Sequence, residues 1–88
     1  MKIPWNEIIP YGQANAVHLS VLARRLGITA EQMKYYIRRA RMDGTFICSS
    51  RAGYYFPASD NEKRSFIRMQ ESQAKSRFAT IRTLRQQE

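Results

Sequence analysis

Reactive side chains are scarce in this chain, so the first question is what the few present could do together. Cys48 is the single cysteine and His18 the single histidine. Formally they make a nucleophile and a base, but Cys48 falls in a strand-like run and no third group stands ready to orient the imidazole. One of each cannot assemble a zinc site of the usual Cys/His kind, nor can one cysteine close an intramolecular disulfide. The Tyr35–Tyr36 pair has the look of a strand-nicking nucleophile, but such enzymes need metal-binding histidines that a lone His18 cannot supply. The four glycines are scattered at turns rather than gathered into a phosphate-cradling loop. We expect no catalysis, no metal and no cofactor.

What remains is cationic. Fifteen Lys and Arg against seven Asp and Glu leave a formal charge of +8 on 88 residues. Such a charge says little about fold and favours polyanionic partners: DNA, RNA or an anionic membrane surface. The cations concentrate on the stretch Thr29 to Gly44, TAEQMKYYIRRARMDG. Thr29 and Gln32 have the spacing of a capping box at a helix start, and Gly44 suits a left-handed turn at its end. Met33, Ile37 and Ala40 fall at i, i+4 and i+7, one face for a core. Glu31, Lys34, Tyr35, Arg38, Arg39 and Arg41 occupy the remaining surface. A helix with a buried apolar seam and a face of Arg, Lys and Tyr is shaped to lie against nucleic acid.

Pro4 opens a short N-terminal helix with Trp5, Ile8 and Ile9 directed inward, ended at Tyr11-Gly12. Asn15 to Val17 read as extended. A helix over Leu19 to Leu26 has His18 at its cap position and Gly27 closing it, so that Gly27-Ile28-Thr29 joins two helices as in a helix-turn-helix. After Gly44 the period changes. Residues 45–49 are strand-like, 50–53 form a polar turn, and 54–56 return as a second strand, giving a hairpin with a basic tip. Cys48 is expected to pack there as a small apolar side chain, and Tyr36 to pack against the hairpin. Ser59 and Glu62 form a second capping box, and nothing from Glu62 onward breaks a helix. Its apolar stripe is thin: Phe66, Ile67, Ala74, Phe78, Ile81 and Leu84, interrupted by Gln70 and Arg77. The first half is expected to dock, and the second to project, to pair with another copy or to order on binding.

This order of motifs, with Leu22-Ala23-Arg24-Arg25-Leu26-Gly27-Ile28-Thr29 and the return Gly53-Tyr54-Tyr55-Phe56 as its most specific parts, resembles winged helix-turn-helix domains. It is nearest the compact kind at the N-terminus of biotin-operon repressors. It also looks like small winged-helix proteins of prophages and mobile elements. The resemblance covers about residues 5–57 and implies a mainly α fold with a small β-hairpin wing. The expected organisation is a winged helix-turn-helix domain at 1–57, a linker at 58–61 and a long C-terminal helix at 62–88. Ala40 stands where a larger leucine is frequent, and the C-terminal helix lies outside the resemblance.

Docked as such domains dock, the second helix crosses the DNA backbone and the third enters the major groove. Ala30, Glu31, Lys34, Tyr35 and Arg38 then lie closest to base edges, with Arg38 the candidate for a bidentate contact to guanine. Thr29, Arg24, Arg25, Arg39 and Arg41 are expected at phosphates, which fix orientation without reading sequence, and Arg51 at the wing tip enters the minor groove. The expected function is sequence-specific binding of double-stranded DNA by a small transcriptional or replication regulator, paired as a homodimer through residues 62–84. The alternative is an adaptor or inhibitor that uses the same scaffold to bind a host protein complex. RNA is a weaker candidate, since no RNA-module signature is present. No apolar run approaches a membrane span, and the last helix lacks the broad apolar face of an interfacial one, so we expect no membrane attachment and a cytoplasmic protein.

Overall fold

The computed structural model describes residues 2–87. It is mainly helical, with a two-stranded antiparallel hairpin and a long C-terminal helix. The first helix, α1 (Trp5–Ile8), is one turn capped by Pro4. It ends at Ile9, whose extended backbone is the conformation that a following proline enforces. Ile8 and Ile9 are buried, and Trp5 packs half-buried against the same core.

The chain then turns at Gly12, and of the extended run expected over Asn15 to Val17 only Asn15 departs from it. Gln13–Asn15 form a single 3-10 turn. Asn15 favours it by donating its side-chain amide to the Tyr11 carbonyl (2.9 Å) while its backbone amide donates to Gly12 (3.0 Å). Val17 alone pairs, antiparallel with Tyr54, through bonds of 2.9 and 2.8 Å.

Helix α2 (Leu19–Leu26) buries Leu22 and Ala23 and stops at Gly27, which takes the left-handed conformation at φ +68. His18 holds the cap position, but its side chain makes no capping bond; only its carbonyl receives the first-turn amides of Val21 and Leu22. Helix α3 (Ala30–Met42) begins with the complete capping box. The Thr29 hydroxyl accepts from the Gln32 amide at 3.1 Å, and the Gln32 side chain accepts from the Thr29 amide at 2.9 Å. Met33, Ile37 and Ala40 are buried against α2. Gly44 ends the helix at φ +97, and the Thr45 amide closes it on the Ala40 carbonyl at 2.9 Å.

Pairing in the hairpin starts later than expected. Strand β1 is Cys48–Ser50 and β2 is Gly53–Tyr55, in the register Cys48↔Tyr55, Ser49↔Tyr54, Ser50↔Gly53. Residues 45–47 stay out of the ladder because Thr45 caps α3 and the Ile47 carbonyl is taken by Arg41. Phe56 leaves the hairpin and bonds back to the N-terminal segment, its amide donating to Pro10 and its carbonyl accepting from Gly12, both at 2.7 Å. The hairpin is thereby sewn to residues 10–17 on its far side.

Helix α4 (Asp60–Gln86) starts two residues earlier than expected. Ser59 caps it by accepting from the Glu62 amide (3.2 Å), but Glu62 does not complete a box. Its carboxylate instead accepts from the Gln13 amide (3.0 Å) and the Ala58 amide (3.4 Å), which staples the helix start to the 3-10 turn. The docked half touches the domain through Phe66 edge-on to Phe46, with ring centroids 6.2 Å apart. No described residue of α4 is fully buried, and the helix lengthens the molecule to 47 Å.

Candidate nucleic-acid interface

The exposed surface of α3 follows from where its core seam points. With Met33, Ile37 and Ala40 committed inward, the 3.6-residue period places Glu31, Lys34, Tyr35 and Arg38 on the far side. Ala30 is exposed at the first turn, beside the free end of the helix dipole. Lys34 and Glu31 make a surface ion pair at 3.8 Å, a contact weak enough to give way to a stronger partner. Tyr35 is 51% exposed. Its hydroxyl accepts from Arg39 (3.1 Å), whose guanidinium also lies over the ring, 5.9 Å from its centroid. The hydrogen bond from Arg39 to Tyr35 is the main cause of a raised arginine pKa, with Asp43 adding to it. Tyr35 and Arg39 therefore stand as one unit.

Arg24 and Arg38 are exposed, and nothing engages either guanidinium among the described residues. Arg51 occupies the two-residue loop of the hairpin with Ala52, also exposed. Thr29 sits at the mouth of α3 with its hydroxyl held by the cap.

Two arginines expected at phosphates have work inside the fold. Arg25 donates from a terminal nitrogen to the Ile8 carbonyl at 2.9 Å, joining α2 to α1. Arg41 does more. Its Nε donates to the Ile47 carbonyl (2.8 Å) and a terminal nitrogen to Ser49 Oγ (3.3 Å). The same guanidinium lies over the rings of Tyr54 (5.8 Å) and Phe66 (5.5 Å). Desolvation lowers its pKa. Arg41 thus ties α3, the hairpin and α4 together through a side chain that stays exposed.

Tyr36 also differs from expectation. It does not pack on the hairpin but lines a cleft with Ile3, Trp5 and Tyr35 on the N-terminal side, its ring edge-on to Tyr35 at 5.6 Å. Around α3 it lies on the flank away from Arg41, which is the one that meets the hairpin. One further residue of the exposed face has no place among the expected contacts. Met42, four residues beyond Arg38, is 79% exposed, and its spacing is the signal in the sequence that points to it.

Cys48 is buried and its thiol is pushed up to about 11, chiefly by burial. It is protonated at neutral pH and packs as an apolar side chain. No group of three or more metal-ligating side chains is found among the described residues, and none of their helices is long and apolar enough to cross a membrane. Comparison with protein-family models, curated proteins and solved structures finds no match to this chain.

Proposed function

We propose that the chain binds double-stranded DNA through the exposed face of α3, acting as a small sequence-specific regulator with the hairpin as its wing. The observation that carries this reading is the face itself: Lys34, Tyr35, Arg38 and Arg39 on one capped helix, with the Arg38 guanidinium engaged by nothing among the described residues. In this reading Arg38 reads a base edge, Lys34 exchanges its ion pair with Glu31 for DNA, and Arg24, Arg39 and Arg51 hold phosphates or the adjacent groove. The Tyr35–Arg39 unit presents a flat, cationic surface to the duplex. Pairing of two copies through residues 62–84 would extend the contact, but cations within the apolar stripe of that helix weigh against it. The reading puts the chain in the cytoplasm. A prophage or mobile-element setting rests on the resemblance to such proteins alone.

Selection from a randomised duplex library tests the specificity. The expected result is an enriched motif with the wild type that disappears with Arg38→Ala. Equal enrichment of all sequences by both proteins would leave only charge-driven binding and remove the claim of base reading.

A further inference from the structure

We infer that the projecting half of α4 is a docking strip for an acidic amphipathic helix of a partner protein, separate from the DNA face and not dependent on it. Beyond Glu71 the helix leaves the domain. Phe78 is 69% exposed, Leu84 58% and Ile81 45%, a large apolar surface for a helix on which nothing packs among the described residues. At about 100° per residue, Leu84, Ile81 and Phe78 share one side of the helix, with Ala74 in line. The opposite side is small and neutral: Ser72, Ser76, Thr80 and Thr83. Only the first side is built to be covered.

Charge decides by what. Arg77 falls between Leu84 and Ile81 around the helix, and Arg85 between Ile81 and Phe78, so two guanidiniums lie inside the strip rather than beside it. Lys75 and Arg82 border it on the Phe78 side. Arg82 and Arg85 share a shallow depression with Phe78 and Ile81. Glu71 is the only acid among residues 63–87.

A second copy laid on this strip, parallel or antiparallel, would set cation against cation and bury Arg77 and Arg85 without counter-charges, a severe cost. A lipid surface would leave both guanidiniums reaching past apolar neighbours to find phosphates, over a strip with few large side chains. Bare duplex offers phosphates but no cover for Phe78 and Leu84. A helix that presents leucine-like residues along its centre and carboxylates at its edges satisfies both demands, through apolar burial and charge-assisted hydrogen bonds to the arginines.

The test uses the full chain and two designed heptad-repeat peptides with leucine seams, one with glutamate and one with lysine at the flanking positions, followed by calorimetry. The expected result is one-to-one binding of the glutamate peptide with at least about a tenfold preference over the lysine peptide. Phe78→Ser and, separately, Arg77→Glu with Arg85→Glu should each weaken it by about tenfold or more. Lys34→Ala with Arg38→Ala should leave it unchanged, which separates this surface from the DNA face. Because these α4 side chains touch no core residue, an unchanged thermal midpoint of the head is expected for the α4 variants.

Equal binding of the two peptides would overturn the proposal, as would binding insensitive to the α4 variants. So would a stable dimer of the chain alone in sedimentation that Phe78→Ser dissolves, or association with phosphatidylserine-rich vesicles in place of the peptide.

Discussion

At the scale of single residues, the arginines divide by what holds them. Arg41 bridges three elements through two hydrogen bonds and two aromatic faces, whereas nothing among the described residues engages Arg38. Arg41→Ala should therefore cost on the order of 2–3 kcal/mol, because it strands the carbonyl of buried Ile47 and removes packing from Tyr54 and Phe66. Arg38→Ala should lie within about 0.5 kcal/mol of wild type. Urea titrations of the two variants side by side measure the difference, and equal stabilities would contradict the role given to Arg41. Cys48 supplies a pH dependence. Its folded pKa, about 11, lies above the ordinary value of 9.0, so the native state holds the proton more tightly than the unfolded chain. The stability this brings is complete below the lower value and is lost as pH rises from about 9 towards 11. Tyr55, whose pKa burial also raises, acts in the same direction. Denaturation midpoints should fall across that window, and less steeply in Cys48→Ala.

Elements are legible in the sequence where their signals are local. Thr29 and Gln32, three residues apart, mark the start of α3, and Gly27 and Gly44 mark two helix ends. Pairings between distant residues are not legible. Nothing in the spacing of Arg25 or Arg41 distinguishes a guanidinium that will meet a backbone carbonyl from one that meets solvent, so sequence alone assigns both to phosphates. Val17 is readable as extended, but its pairing with Tyr54 depends on a glycine. Gly53 lies at φ +126, and a β-carbon there would run into the Val17 carbonyl and the His18 amide. Gly53→Ala should thus separate the hairpin from residues 16–18 and cost several times more than Gly44→Ala, where φ is +97 but the space is open. Thermal unfolding of the two variants provides the comparison, and similar midpoints would mean that the Val17 pairing contributes little. On the candidate site, residue identity and exposure on α3 follow from the helical period. The coupling of Arg39 to Tyr35 and the true neighbour of Tyr36 require the fold.

At the scale of the molecule, the chain joins a small packed head to a helix that contributes almost nothing to the core. Phe66 is the last residue of α4 seen in aromatic contact with the head, Ile67 to Glu71 still border it, and the turns beyond Glu71 stand without tertiary support among the described residues, a condition under which single helices are marginal in water. Removing residues 75–88 should shift stability by no more than about 0.5 kcal/mol, and in the full chain amides in this segment should exchange far faster than those of α2 and α3. Strong protection there in the isolated protein would show that the strip is already covered. A head that holds duplex and a tail that holds an acidic helix would let one small protein bring a partner to DNA.

Whether α3 is the surface that meets duplex DNA is tested most directly by a salt titration. Fluorescence anisotropy with a labelled random duplex is measured for the wild type beside Lys34→Ala with Arg38→Ala. Counterion release makes log affinity fall linearly with log salt, and each phosphate that the protein no longer neutralises should reduce that slope by about 1. Steep salt dependence is expected for the wild type, with a shallower slope and weaker binding in the double variant. No binding at low salt, or identical curves for the two proteins, would contradict a DNA-binding role for α3.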